Sequence, residues 1–162
     1  MIVIRCETGE EIGVPVETLV GADLSRLHLH RAILDKQDLR HANLSGSDLR
    51  SARLEAADLE GANLSGVRMP ACSASNARFV RATLAGAFMR SAGFEGADFT
   101  QASLNGADVG RSRFRGAVLH GADLRADGLG DADFTGARAD SMTRWPTEYD
   151  PVNHGVLIER KG

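Results

Sequence analysis

The chain has 162 residues, a length that suits one domain with one continuous core. One quarter of the residues are charged, an ordinary fraction, and the net charge is only −3, so the composition shows no strong basic or acidic bias overall. No apolar run approaches the length of a membrane-spanning helix, and the start of the chain is too short and too acidic for a secretion signal, so a soluble cytoplasmic protein is expected.

Residues 1–16 read as an N-terminal cap. Ile2-Val3-Ile4 is a short strand, Thr8-Gly9 a turn, and Ile12 to Val16 a return segment. The leader holds the acid excess of the chain, with Glu7, Glu10, Glu11 and Glu17 against Arg5. Cys6 and Cys72 are expected to be several turns of the fold apart, too far for a disulfide, and are read as free structural thiols.

From residue 17 to residue 141 a large apolar residue returns at every fifth position. Of the 24 such positions between 24 and 139, 22 hold Leu, Phe, Met or Val. A period of five matches neither the helix period of 3.6 nor the strand period of 2, so the chain must turn tightly once per five residues and wind into a coil. Alanine stands two residues before 17 of those 24 beats. One small and one large inward residue per unit suit a narrow tube filled along its axis. Glycine recurs two residues after the beat, but Arg, Ser and Ala occur there too, so a left-handed backbone is not expected at every corner. The beat runs on without a slip in sequence. Apart from the last beat, Ala139, only Ala74 breaks its size pattern, standing between Leu54 and Phe94, where a dry gap would cost a few kcal/mol.

Ala22-Asp23-Leu24, Ala42-Asn43-Leu44, Ala57-Asp58-Leu59, Ala62-Asn63-Leu64 and Ala122-Asp123-Leu124 resemble the A(D/N)LXX signature of the pentapeptide-repeat family. The resemblance implies an all-β fold, a right-handed quadrilateral β-helix with four units per coil. It would have about six coils, closed by N- and C-terminal caps. Coils are expected to stack at the inter-strand spacing of ~4.8 Å.

Residues twenty apart should then stack in columns on four faces. One column, Asp23, Asn43, Asn63, Thr83, Ser103 and Asp123, reads as a solvated polar ladder. A second, His28, Asp48, Arg68, Phe88, Asp108 and Gly128, carries Phe88 outward, the best candidate contact residue on a rod so poor in aromatics. A third contains Arg113, with Arg111 and Arg115 beside it as a basic cluster. The fourth is the most acidic, with Asp58, Asp98 and the nearby Glu60, interrupted by Arg40, Arg78 and Arg81. Across 22–141 there are 15 carboxylates and 15 Lys or Arg, so the tube itself is neutral. His28 and His30 flank Leu29 on one face, but no third metal ligand is obvious beyond Asp48. No phosphate loop, nucleophile elbow or zinc motif occurs, and a convex rod offers few clefts. No catalytic residue, metal or cofactor is expected.

Residues 142–162 read as a C-terminal cap. Trp145 is the natural lid on the last apolar ring. Val156-Leu157-Ile158 forms a short apolar strand that either folds back on the tube or meets the same strand of a second chain as a homodimer seam. These features point to a non-catalytic interaction or scaffold protein whose protein partner the sequence does not identify. They suggest no direct binding to nucleic acid or membrane. The resemblance implies an alternative. Some family members imitate duplex DNA, bind type II topoisomerases (DNA gyrase or topoisomerase IV), and confer fluoroquinolone resistance or immunity to a topoisomerase poison. The neutral tube and the lack of an inserted loop depart from that pattern.

Overall fold

The computed structural model describes residues 1–160. Its backbone is a four-sided solenoid. Parallel bridges join residues twenty apart in four columns, for example Asp38, Asp58, Arg78, Asp98, Val118 and Arg138 in succession. Each side contributes one short bridge rather than a long strand, because five residues leave room for only a few extended positions before the next corner. The hydrogen-bond pattern repeats along the rod. The Leu44 N–H donates to the Asn63 carbonyl (2.7 Å), the Asn63 N–H to the Ala42 carbonyl (2.9 Å), and the corner Gly46 N–H to the Ser65 carbonyl (3.0 Å). Backbone polar groups between neighbouring turns are therefore largely satisfied by the ladder.

The core is what the five-residue beat requires. Every large beat residue from Leu24 to Phe134 is buried, as are the alanines two residues before most of them. Phe79, Phe94, Phe99, Phe114 and Phe134 stack along the axis, with centroid distances of 4.8 Å for Phe79–Phe99 and 4.9 Å for Phe114–Phe134. The cluster begins directly after Ala74, which is itself fully buried and keeps its ladder bond to Gly93 (2.7 Å). Where the small residue is Ser47, its hydroxyl donates to the Leu44 carbonyl (2.7 Å), so the polar group is buried without being orphaned.

The corners differ from the expectation. Every fifth residue from 21 to 121 has a positive φ, and twelve of these are not glycine, among them Arg26 (56°), Ala56 (56°), Ala71 (55°) and Arg111 (60°). The unit closes with a bond three residues on, as from the Ala57 N–H to the Leu54 carbonyl (3.1 Å). A positive φ at the third of four turn residues is the signature of a type II turn. Side chains outside glycine occupy this region at a cost of about 1–2 kcal/mol each, so the stacked ladder must hold them there. The composition of the corners hid the requirement.

The register also slips, although the sequence beat does not. Asp108 bridges Asp127, nineteen residues on, and Asp123 bridges Arg144, twenty-one residues on. Asp127, not Gly128, therefore continues the column of Phe88 and Asp108. Gly128 (φ 78°) instead leads into a short 3₁₀ turn, Leu129–Asp131, which absorbs the missing residue and keeps Leu129 buried. A Cβ at residue 128 would lie 2.7 Å from the Gly110 backbone, so the contraction needs glycine there.

Both ends are covered. Strands β1 (Ile2–Arg5) and β2 (Glu11–Val14) form an antiparallel hairpin that buries Ile4 and Val14. The hairpin joins the rod where the Ile33 N–H donates to the Arg5 carbonyl (2.8 Å). At the other end, β3 (Arg138–Ala139) pairs in parallel with β4 (Leu157–Ile158) of the same chain. Trp145 packs edge-on against Phe134 (5.7 Å), and Tyr149 stacks on Trp145 (5.3 Å). Cys6 and Cys72 are both buried and free, and burial pushes the Cys72 thiol up to about 12.

Candidate interaction surfaces

Positions on either side of each beat point outward, so every wall presents two columns of side chains. The position before the beat does more than face water. Its Asp or Asn accepts the N–H two residues on, as in Asp23 to Ser25 (3.0 Å), Asn63 to Ser65 (3.0 Å), Asp98 to Thr100 (2.9 Å) and Asp133 to Thr135 (3.0 Å). This local turn bond explains why Asp or Asn recurs before leucine, a role that a solvated-ladder reading missed. Side-chain donors two residues on, ahead of these N–H groups, acidify carboxyls at this position. The side-chain hydrogen bond from Ser25 lowers Asp23, that from Thr135 lowers Asp133, and that from Arg125 lowers Asp123.

The most acidic wall is neutralised by neighbouring guanidiniums. Asp58 takes Arg78 at 2.6 Å, and Glu60 takes both Arg78 (3.1 Å) and Arg81. The Arg81 and Arg78 hydrogen bonds hold Glu60 below its ordinary range. Asp98 is occupied by the Thr100 hydroxyl (2.6 Å). The wall therefore shows a mixed charge pattern rather than a continuous negative stripe.

The three clustered arginines behave separately. Arg113 lies across Gly93 to reach Glu95 (2.5 Å), and Arg115 reaches Asp133 (3.1 Å). A Cβ at residue 93 would sit 2.5 Å from the Arg113 guanidinium, so the glycine makes room for that ion pair. Arg111 forms no ion pair among the described residues. Phe88 is 37% exposed, and its column neighbours are Arg68 and Asp108. Beside it on the same wall Arg90 pairs with Asp108 (3.2 Å). His28 bridges Asp48 by backbone, but the Asp48 carboxylate pairs with Arg50 (2.7 Å). No group of three His, Cys, Asp or Glu side chains able to hold a metal ion occurs among the described residues.

The C-terminal end brings together residues the sequence did not group. Val156 is turned into the chain's own core at 3% exposure, so of the three expected seam residues only Leu157 (57%) and Ile158 (44%) face outward. Met142 and Val152 are exposed at the same end of the chain. Asp140 replaces a backbone acceptor where the chain leaves the coil. The Gln101 N–H still finds the His120 carbonyl (2.8 Å), but the next corner N–H, of Gly121, donates to Asp140 Oδ1 (3.0 Å). Burial, which raises the Asp140 carboxyl, is outweighed by the N–H donors of Gly121 and Met142, and the net shift is downward. Thr100, Gln101, His120, Asp140, Met142 and Arg144 line a shallow groove of about 600 Å³ beside this cap. Glu159 reaches back to His120 and Arg138. Nothing in the local sequence around Tyr149 or Glu159 signals these contacts, which depend on where the solenoid ends.

Comparison with known proteins agrees with this architecture. The family of pentapeptide repeats matches residues 18–55, 57–96 and 92–126, in eight copies. No curated protein matches the chain. Among solved structures, HetL, a pentapeptide repeat protein involved in heterocyst differentiation regulation from the cyanobacterium Nostoc sp. strain PCC 7120, is similar. It has a TM-score of 0.64 and 30% identity over 74% of this chain, which spans 55% of HetL, about half its length. The pentapeptide repeat protein alr5209 from Nostoc is 27% identical over 72% of this chain and 84% of its own, with a TM-score of 0.34. QnrB1, a plasmid-mediated fluoroquinolone resistance protein, is 16% identical over 87% of this chain and 85% of its own, with a TM-score of 0.47.

Proposed function

The chain belongs to the pentapeptide-repeat family, and on that premise we propose that it is a non-catalytic interaction or scaffold solenoid acting on a protein partner. Its right-handed wind, its extent of about six coils and its division at residues 16 and 141 into cap, rod and cap are part of the same reading. What supports it is the ladder itself. Successive turns bonded at nearly every corner make flat walls on which side chains stand at fixed intervals, with Phe88 as the exposed aromatic of the repeat region. Rigid presentation lowers the ordering cost of binding, and aromatic and Arg side chains carry a large share of binding energy at protein interfaces. The contact surface we favour is the wall of Phe88, with Arg111 at its margin.

The test is a pull-down from the source cell with the wild type, Phe88→Ala and Arg111→Glu. A partner retained by the wild type and lost with Phe88→Ala supports the surface. Partners retained equally by all three proteins remove that wall from the account. The topoisomerase alternative is checked by a gyrase supercoiling assay with and without a fluoroquinolone. Pairing of Asp58 and Glu60 with arginines leaves little unbroken negative surface to imitate a duplex, so neither inhibition nor protection is expected. We further read Leu157 and Ile158, exposed on the terminal strand, as the seam of a homodimer, and the cytoplasm as the site of action.

A further inference from the structure

We propose that the wall of Phe88 receives an acidic peptide segment of a protein partner, with a large apolar side chain seated on Phe88 and a nearby carboxylate paired with Arg68. This rests on the interaction reading above and names the chemistry of its ligand. Along the wall, Asp48, Arg68, Phe88 and Asp108 are joined in succession by parallel backbone bridges. The two carboxylates are already engaged. Asp48 takes the Arg50 guanidinium (2.7 Å) and the Arg50 N–H (3.1 Å), and Asp108 takes Arg90 (3.2 Å) and the Gly110 N–H (3.0 Å). Arg68, by contrast, is exposed and forms no ion pair among the described residues.

The surroundings leave Arg68 and Phe88 standing alone. The corners on one side of them are Gly66 and Gly86, where an added Cβ would meet nothing within 4 Å, and on the other side Ala71 and Ser91. In the same coils the flanking walls carry Asn63, Ser65, Thr83 and Ala85 on one side and Ser73 and Ser75 on the other. Glu95, next along that second wall, is held by Arg113 (2.5 Å) and by the Ser75 hydroxyl (3.2 Å). Asp127, an exposed carboxylate with no ion pair among the described residues, lies two coils beyond Phe88. Low corners let a ligand backbone come close to the wall, and the uncommitted charge it meets beside the ring is a guanidinium.

The spacing suits an extended segment. Neighbouring coils stand about 4.8 Å apart, and residues two apart on one face of an extended peptide about 6.6 Å apart. A segment laid along the rod places one side chain on Phe88 and the next on the same face toward Arg68, whose long side chain absorbs the difference. A carboxylate there gains a charge-assisted hydrogen bond from the guanidinium. A basic segment would set like charges against Arg68 and Arg90, with no free carboxylate beside them to offset the repulsion. The aromatic ring supplies contact area, and the charge supplies selection.

The experiment is an amide NMR titration of the full chain with the peptide Gly-Glu-Gly-Phe-Gly-Glu-Gly, its termini blocked, which offers an acid on either side of the ring in both chain directions. The Arg68 and Phe88 amides should shift together. Peptides with lysine for both glutamates, or alanine for the phenylalanine, should bind at least about fivefold more weakly. Phe88→Ala should weaken binding of the acidic peptide about five- to tenfold and Arg68→Gln about two- to fivefold, and added salt should weaken the wild type more than Arg68→Gln. Lys36→Gln, which removes an equal charge from another corner, should leave the affinity unchanged. Equal or tighter binding of the lysine peptide, shifts confined to another wall, or no shift at millimolar peptide overturns the proposal. A partner lost with Phe88→Ala in the pull-down while this peptide stays unbound keeps the surface and overturns its acidic ligand. Peptide binding without such a partner upholds the ligand chemistry and removes the wall from the contact made in the cell.

Discussion

Replacing Ala56 with glycine should stabilise this protein, although glycine normally weakens regular structure. Ala56 holds φ at 56°, and its side chain is exposed. The left-handed conformation costs a residue with a Cβ about 1–2 kcal/mol, and glycine removes that cost. Glycine also enlarges the unfolded ensemble, which offsets about 0.5–1 kcal/mol of the gain. The net is a stabilisation of about 0.5–1 kcal/mol. Ala71, with φ 55° after Pro70, should respond alike, and the double variant should gain about 1–2 kcal/mol because the sites share no partners. The reverse change at Gly66 or Gly86, where an added Cβ meets nothing within 4 Å, isolates backbone strain from steric clash and should cost a similar amount. Urea unfolding followed by circular dichroism measures all four. Should Ala56→Gly and Ala71→Gly both destabilise by about 0.5–1 kcal/mol, as glycine does at extended or right-handed positions, the corner geometry derived above is wrong.

Other expectations concern the core, the carboxylates and the ends. Phe99→Ala removes a ring stacked on Phe79 and packed against Phe94 and Phe114, and should cost about 3–5 kcal/mol in the same unfolding assay. Asp23, Asp38, Asp123 and Asp133 are all lowered by hydrogen bonds made in the fold, so their contribution is present above the ordinary Asp range and is lost as pH falls through it. Thermal midpoints should hold between pH 5 and 7 and drop steeply below about pH 4, and Asp23→Asn, which keeps the turn acceptor, should weaken that acid sensitivity. Gly93→Ala should displace the Arg113 guanidinium from Glu95, visible as a change in the Glu95 titration by NMR, with stability lowered by less than about 1 kcal/mol because the pair is exposed. Ile158→Asp should convert a dimer to a monomer in light scattering, and an unchanged mass would remove Leu157 and Ile158 as a seam.

Much of this architecture can be read from the chain because the repeat is a steric code. Leu24 to Phe134 and the alanines before them fix an axis and its width, and nothing else in the sequence competes with that pattern. What escapes is carried by backbone conformation and by distant contacts. Arg26 and Lys36 occupy left-handed corners that their identities do not announce. Asp58 and Asn63 resemble solvated surface residues, yet their side chains complete the turn. The slip at Asp127 is hidden because Leu129 keeps the beat while the backbone takes a different path. The surface residues were harder still. Asp58 and Arg113 were visible as charges, but their neutralisation depends on residues about one coil away, and Val156 turned inward because the cap needed one more apolar side chain.

The register of twenty is the claim on which the walls, the corners and the cap all depend. Cross-strand NOEs in an assigned NMR spectrum test it most directly. Close backbone contacts are expected between Asn43 and Asn63, Phe88 and Asp108, and Arg113 and Asp133, with contractions to nineteen linking Asp108 to Asp127 and, at the cap, Arg138 to Leu157. Contacts at any other constant spacing, or a run of helical contacts three and four residues apart, would contradict the solenoid described here.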